Sequence, residues 1–213
     1  MTMSSKQITV LSYEGLSDYT DVLQLQETFL EERIAGLRGD SIILCEHEPV
    51  YTIGRSRDAE SNILMSSGVP THKISRGGDV TFHGPKQLVG YPILHLPQHD
   101  IHAYLRWLEG FWIDYLMTYH QIEAHRDERN TGVWVEGRKM VAIGIALRKW
   151  VTWHGFAWNI DTDLRYFQRI NPCGMSSELV TSLAEHVEKI PTMAEAMKSV
   201  QHAFGLWYQK NPI

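Results

Sequence analysis

The chain has 213 residues, 43% of them hydrophobic and 21% charged, which excludes disorder as its ruling state and gives it enough length to bury a core without staples. A formal net charge of −5 argues against a general nucleic-acid binder, and the two cysteines, Cys45 and Cys173, have neither a CxxC partner nor metal-ligand spacing, so structural zinc is not expected; no other metal and no cofactor are expected either. No apolar run approaches the ~20 residues that cross a bilayer, and the first residues lack signal-peptide character, so the expectation is a cytoplasmic protein with no membrane partner.

Residues 7–13 read as a first strand. Ser17 or Asp18 can cap an amphipathic helix whose stripe is Tyr19, Val22, Leu23, Leu30, Ile34 and Leu37. Residues 41–45 are a short apolar run of buried-strand type, and Cys45 within it reads as an inert core thiol. Glu46-His47-Glu48-Pro49-Val50-Tyr51-Thr52-Ile53-Gly54-Arg55 then reads as a polar turn leading into a strand.

The stretch that organises the chain runs from Arg76 to Tyr91: Arg-Gly-Gly-Asp-Val-Thr-Phe-His-Gly-Pro-Lys-Gln-Leu-Val-Gly-Tyr. Gly77 and Gly78 let the main chain approach a ligand closely. Composition alone leaves a long hairpin loop and a binding loop equally open. Residues 88–96 are apolar, but Pro92 has no amide to donate and suggests an edge or a bulge. His95, His99 and His102 do not form a metal set, because Pro97 breaks the helix their spacing needs.

Asp100 reads as the N-cap of a helix carrying Ile101, Tyr104, Leu105, Leu108, Trp112, Tyr115, Leu116 and Tyr119, a core stripe. Residues 132–135, 139–147 and 151–160 suggest an antiparallel meander, with Glu136-Gly137-Arg138 as its first turn and Arg148-Lys149-Trp150 as its second. Residues 161–170 suggest a short helix, and two helices close the chain. The last starts with a capping box, Thr192-Met193-Ala194-Glu195, and has Met197, Val200, Phe204 and Trp207 on its apolar face. No repeat or linker interrupts the chain, so residues 1–213 are expected to form one catalytic domain.

Asn171-Pro172-Cys173-Gly174 places a thiol at a turn, where a thiolate is accessible as a nucleophile. A turn cysteine without function is the alternative. A proton partner is needed, and His83 or His154 could serve. Lys139, just after a hairpin turn, reads locally as a solvated lysine.

The segments around Glu46, Arg76 and His154, with the Pro-Cys-Gly turn, resemble the lipoate–protein ligase B family, the octanoyl-[acyl carrier protein]:protein octanoyltransferases. The matching pieces are Glu-His-x-Pro-Val-Tyr-Thr-x-Gly-Arg, Arg-Gly-Gly-x-x-Thr-Phe-His followed by Gln and Tyr, and His-Gly-x-Ala-x-Asn. They span residues 46–174. The resemblance implies the fold shared with biotin and lipoate ligases: α/β (α+β), with a mixed, largely antiparallel sheet flanked by helices. It implies that Cys173 is the acyl acceptor and Lys139 its partner and general base. It also implies a substrate site lined by Arg76, Gly77, Gly78, Asp79, Val80, Thr81, Phe82, His83, Ala142, Ile143, Gly144, Gly155, Phe156 and Ala157.

The reaction it implies is ping-pong transfer of an octanoyl group from acyl carrier protein to a lysine of a lipoyl domain, in 2-oxoacid dehydrogenases or the glycine cleavage H protein, with no ATP. The Gly144 or Gly77-Gly78 backbone would supply an oxyanion site, and Arg126, Arg129, Arg138, Arg148 and Lys149 a basic face for the acidic carrier. Two positions depart from the pattern. Lys86 stands where a glycine is expected, which leaves the loop shape open, and Trp158 is bulky enough to narrow an acyl tunnel. An ATP-dependent lipoate or biotin ligase, a thiol hydrolase with a histidine base, and an inactive acyl- or carrier-binding module are the alternatives.

Overall fold

The computed structural model describes residues 7–57, 59–65, 68–171 and 176–213. In chain order the elements are β1 (Thr9–Ser17), α1 (Tyr19–Ile34), β2 (Ser41–His47), β3 (Val50–Ile53), β4 (Thr71–Lys73), β5 (Val80–His83), β6 (Gln87–Ile93), α2 (Ile101–His120), β7 (Gly132–Val135), β8 (Arg138–Arg148), β9 (Val151–Asn159) and α3 (Met193–Lys210). They build a six-stranded sheet in the order β1-β2-β6-β9-β8-β7 and a three-stranded sheet in the order β4-β3-β5. Among the strand ladders of the described residues, β1–β2 and β3–β4 are parallel and the others antiparallel. The mixed, largely antiparallel architecture expected from the sequence is therefore present, divided between two sheets.

Strand alternation decides what each face of the large sheet buries. Ile42 and Leu44 of β2, Leu88 of β6, and Phe156 and Trp158 of β9 point into one cluster with the apolar stripes of α2 and α3. Ile43, Cys45, Val89, Tyr91 and Ala157, their neighbours in sequence, point to the opposite face, under Val22, Phe29 and Leu30 of α1. Trp112 anchors the first cluster, with Phe156 at 4.9 Å and Trp158 at 5.2 Å between ring centroids. A smaller cluster of Tyr51, Ile53, Val80, Phe82 and Phe167 holds the three-stranded sheet to the 3-10 segment Leu164–Arg169.

The helix ends follow their local chemistry. Asp18 Oδ1 accepts from the amides of Thr20 and Asp21, and Asp100 Oδ1 from Ala103. Thr192 and Glu195 form the reciprocal capping box at the start of α3. No helix among the described residues is long and apolar enough to cross a membrane.

Several expectations change. The first strand runs to Ser17, and Leu37 is 82% exposed beyond the end of α1 instead of on its buried stripe. Residues 161–170 hold a 3-10 segment, and before α3 the described residues carry only the 3-10 turns Ser177–Leu179 and Leu183–Glu185, so a single α-helix closes the chain. Pro92 lies in β6, an interior strand, opposite Ile42. It is tolerated because the β6–β9 ladder stops at the Gly90–Phe156 pair. Beyond that point the Thr152 hydroxyl takes over, donating to Pro92 O at 2.7 Å and accepting from Leu94 N–H at 3.0 Å.

The same crossing requires two glycines. A Cβ on Gly155 would sit 2.1 Å from Gly90 O and 2.5 Å from Pro92 Cδ, and one on Gly90 would enter the Phe156 ring. Because the obstacle at Gly155 is main chain, Gly155→Ala forces the strands apart and is expected to lower stability by about 2–3 kcal/mol, the upper part of the range for overpacking. Urea unfolding checks this, and an unchanged midpoint would contradict it.

Candidate active site

The first two motif segments become adjacent strands. β3 and β5 pair antiparallel, Val50 opposite His83 and Ile53 opposite Val80, so the Gly54-Arg55 end of one motif lies against the Arg-Gly-Gly of the other. A Cβ at Gly54 would meet Gly78 O at 2.3 Å and Arg76 Nη1 at 2.8 Å; glycine is what allows this approach. Gly78 itself turns through a φ of +84°.

The Arg76 guanidinium folds back into the protein. Its Nη2 donates to Thr52 O at 2.8 Å and to Thr52 Oγ1 at 3.0 Å, and its Nη1 donates to Gly77 O at 3.0 Å. Asp79 fixes the far side of the loop: its Oδ1 accepts from Val80 N–H and its Oδ2 from Asn62 Nδ2, both at 2.6 Å.

Facing this loop are β8 and β9. Gly144 is paired directly with Gly155, and Ala142 with Ala157. Four small residues at alternate register positions leave a trough, and the Arg76 loop covers it, with the Cβ position of Gly144 3.1 Å from Arg76 Cδ. Together they enclose a cavity with an open mouth.

Lys139 reaches that cavity because of a register shift. Strict alternation puts Ala142, Met140 and Arg138 on one face of β8, and Lys139 on the other. The β7–β8 pairing slips between Val133 and Trp134, so that Val133 faces Val141 but Trp134 faces Lys139. Such a bulge re-aims a side chain. Met140 joins the core beneath α2, while Lys139 lines the cavity. Its Nζ donates to Asn130 Oδ1 at 2.9 Å and Thr131 O at 3.2 Å and lies 5.1 Å from the Trp134 ring centroid. Its main chain bridges to Val180 and accepts from Thr181 N–H at 3.0 Å.

Buried aromatic and imidazole groups close the far wall. His47 Nδ1–H donates to Ser17 O at 3.2 Å, which makes Nε2 the acceptor of the Tyr91 hydroxyl at 2.8 Å. Burial pushes the His47 pKa down to about 4, against the raising effects of the Ser17 carbonyl and of Asp18. Burial, with the neighbouring His47 next in weight, pushes His83 down to about 3, and burial with the Arg76 charge does the same to His154. His154 has a φ of +54°, and its Nε2 meets Ser75 Oγ at 3.2 Å. Neither His83 nor His154 is the poised base that its residue type suggested. Burial also raises the Cys45 thiol, which keeps it protonated and inert.

Of the residues singled out in the sequence, Arg76, Gly77, Gly78, Val80, Thr81 and His83 line the cavity from the loop side, and Lys139, Ala142, Ile143, Gly144, Gly155, Phe156 and Ala157 from the sheet. Ile143 and Phe156 nonetheless direct their side chains into the α2 core. Phe82 is not on the wall; it stacks on Tyr166 at 4.4 Å. Asp79 shapes the loop without lining it. Cys173 lies outside the described residues, but Ser176, just beyond it, is on the wall. Tyr19, Gln87, Tyr91, Asn130 and Asn159 line the cavity and were not anticipated. Gln87, Tyr91 and Asn159 were already visible as letters of the motifs.

Three further expectations are corrected, and the conformation at Lys86, left open by the sequence, is seen. Trp158 does not narrow the cavity, because alternation turns it away from Ala157 and into the rings of α2. The Gly77 amide is no oxyanion donor, since it donates to Ile145 O at 2.8 Å. Lys86 takes the left-handed conformation expected of the glycine it replaces, with a φ of +62°. Glu46 Oε1 accepts its amide at 2.6 Å, its carbonyl accepts from Ile160 N, Asp161 N and Thr162 Oγ1, and its ammonium pairs with Asp161. These contacts hold a lysine in the left-handed conformation at this turn.

The four arginines of the expected basic face are dispersed and paired with acids. Arg126 pairs with Glu109, Arg129 with Asp127, Arg138 with Glu185 and Arg148 with Glu31. Arg138 and Arg148 stand at the two ends of the 11-residue β8, roughly 33 Å apart at about 3.3 Å per residue.

A mixed sheet with a covered apolar trough, a glycine-built loop over it and a buried amine on its wall is the arrangement of an enzyme cavity suited to a small, largely apolar group. Residues 18–205 match the model of the Lipoyl protein ligase A/B catalytic domain, and the chain belongs to that family.

Among its relatives, an octanoyltransferase of Caldicellulosiruptor bescii is 44% identical over 208 residues, covering 93% of this chain and 91% of the relative. An octanoyltransferase of Caldicellulosiruptor saccharolyticus is 47% identical over 202 residues, covering 91% and 86%. The fold is shared with lipoate-protein ligase A solved with bound ATP, at a TM-score of 0.74, 16% identity and coverage of 95% and 85%. It is shared too with the biotin protein ligase of Aquifex aeolicus, at a TM-score of 0.58, 12% identity and coverage of 95% and 71%.

The three buried histidines set a pH dependence. Each has a folded pKa below its ordinary 6.5, so between about pH 4 and 6.5 the unfolded chain binds more protons than the folded one. Stability present above pH 7 is therefore lost on acidification, and near pH 5 unfolding takes up roughly three protons from these groups. Urea unfolding followed from pH 8 to pH 5 checks this; a flat profile would contradict it.

Proposed function

We propose that this chain is an octanoyltransferase that works through an acyl-thioester on Cys173, with residues 1–213 acting as one catalytic domain. The donor is an octanoyl thioester of acyl carrier protein, and the acceptor is a lysine of a lipoyl domain, such as those of 2-oxoacid dehydrogenases or the glycine cleavage H protein. In the resting pair the Cys173 thiol has passed its proton to Lys139. The thiolate attacks the thioester carbonyl, the carbon–sulfur bond to the carrier breaks, and the departing carrier thiolate takes the proton from the Lys139 ammonium. The acceptor amine then attacks the Cys173 thioester. Neutral Lys139 removes a proton from the attacking nitrogen, the amide forms, and the Cys173 thiolate leaves. Thioester replaces thioester in the first step and amide replaces thioester in the second, so no nucleotide is consumed.

The observation that carries this reading is the setting of Lys139. A neutral amine has two N–H groups and one lone pair, and Asn130 Oδ1 and Thr131 O accept two N–H groups. The side chain can therefore gain and lose its third proton without either acceptor losing its partner. Trp134 beside it stabilises the protonated form. The segment after Cys173 is tied to the same residue, through Val180 and Thr181. The names of the relatives at 44% and 47% identity favour the transferase over the ATP-dependent ligase, and the low pKa values of His83 and His154 disfavour a histidine-based hydrolase.

The direct test is intact mass after mixing with octanoyl carrier protein. One octanoyl group is expected on the native protein and on Cys45→Ala, and none on Cys173→Ala; an adduct on Cys173→Ala would refute the intermediate. Lys139→Arg keeps the charge but holds its proton, and its transfer rate is expected to fall about 10²–10⁴-fold, the usual worth of a general base. A native rate would remove that role.

The trough makes a second prediction. Ala142→Leu fills part of it, and the preference for hexanoyl over octanoyl donor, read as a ratio of kcat/KM values, is expected to rise about tenfold or more. An unchanged ratio would place the acyl chain elsewhere.

A further inference from the structure

Gln87 and Asn159 are directly opposite each other in the β6–β9 ladder, and both are almost fully buried. Their hydrogen bonds determine one another. Gln87 Nε2 donates to Phe82 O at 3.1 Å and to Asn159 Oδ1 at 2.9 Å, which uses both of its hydrogens. Gln87 Oε1 is therefore the acceptor facing His83 Nδ1 at 2.8 Å, so the proton sits on Nδ1. His83 Nε2 must then accept, and its neighbour is the Thr52 hydroxyl at 3.5 Å. The Thr52 oxygen in turn accepts from Arg76 Nη2 at 3.0 Å. In the other direction, Asn159 Nδ2 donates to Thr181 O at 3.0 Å, and Thr181 N–H donates to Lys139 O at 3.0 Å.

The series starts on the Arg-Gly-Gly loop, passes through β3 and β5 of the small sheet, crosses to β6 and β9 of the large one, and ends at the main chain of Lys139. It is a buried polar link between the two walls of the cavity, in addition to the Gly77 N–H to Ile145 O bond and the Ser75–His154 contact. A buried network of this kind has one arrangement in which all its members are satisfied, and exchange of one member leaves its neighbours without partners.

We propose that the Gln87–Asn159 amide pair is a positioning device for acyl transfer: it fixes His83 as the neutral Nδ1–H tautomer and sets Lys139 relative to the Arg-Gly-Gly loop. Gln87 and Asn159 do no chemistry themselves. The segment bearing Thr181 is held by Asn159 on one side and by Lys139 on the other, so a shift in the pair moves the lysine against the loop that covers the substrate. Geometry of this kind is worth large factors in rate, since a misplacement of about 1 Å can cost roughly 10²-fold. The inference rests on the transferase reading for its rate effect and on the structure alone for its tautomer.

The first test is independent of activity. Nitrogen NMR of the histidine rings in the native protein is expected to show His83 neutral and protonated on Nδ1 from pH 8 down to pH 5. An Nε2–H tautomer, or an imidazolium in that range, would overturn the network. The groups facing this ring are Tyr19, His47, Arg76 and His154, none of them a carboxylate.

The second test uses Gln87→Glu and Asn159→Asp, which keep size and shape while each removes donors. In Gln87→Glu the new carboxylate pairs with the ring, and His83 is expected to begin titrating within the same range. Both variants are expected to lose tenfold or more in kcat, with KM for the acyl donor within about twofold of native. A loss of activity no larger than the loss of folded protein, or a rise in KM alone, would reduce the pair to a structural role. Failure of the native protein to transfer octanoate would sink the transferase reading, and the ring spectra would still decide the network.

Discussion

The arrangement of this molecule depends on keeping an amine inside a wall that is otherwise built to be apolar. Charged groups are expensive to bury unless they are hydrogen bonded, and a lysine on a regular strand next to a core would point either into that core or away from the cavity. Here one slipped residue in the β7–β8 ladder turns Lys139 onto the cavity face. The turn before β7 supplies Asn130 Oδ1 and Thr131 O. Gly132, with a φ of +143°, leaves the space beside it clear: a Cβ there would lie 3.2 Å from Lys139 Cε and 2.6 Å from Val141 O. Bulge, acceptors and glycine act on a single side chain. The Val180-Thr181 segment, some forty residues later in the chain, is then built onto the main chain of the same lysine.

The rest of the cavity is made by subtraction. The Gly144–Gly155 and Ala142–Ala157 pairs remove side chains where a sheet would normally pack, and Gly54 removes one where two loops meet. The space is kept open because the elements around it are rigid for their own reasons: Trp112 and its ring neighbours behind β9, and the Phe82–Tyr166 stack behind β5. Function and stability thus use opposite faces of the same strands. In β9 the residues Phe156 and Trp158 hold the domain together, while Gly155, Ala157 and Asn159 face the site.

Much of this was legible in the sequence, for a physical reason. Motif residues that need special backbone or small volume (Gly54, Gly77, Gly78, Gly155) announce themselves as glycines in otherwise structured stretches, and the helix caps at Asp100 and Thr192 are short-range chemistry. The features that escaped sequence reasoning depend on long-range pairing. Tyr19 reads as one more apolar residue on a helix stripe, and nothing local says that it faces a cavity. Trp158 was assigned to the wrong side because the phase of β9 is set by its partners. The arginines read as a basic face because the acids that pair with them, Glu31, Glu109 and Glu185, are remote in sequence. Lys86 left the loop shape open because a lone letter gives no hint of Glu46 and Asp161, which hold it in a glycine-like conformation.

At the centre is the claim that a lysine held among buried acceptors shares one proton with the Cys173 thiol. The rate of Cys173 alkylation as a function of pH measures that coupling without any substrate. In the native protein the thiol is expected to titrate well below the ordinary value of about 8.5, and in Lys139→Met to return to that value or above it. The same titration curve in both proteins would mean that the lysine and the sulfur do not act together.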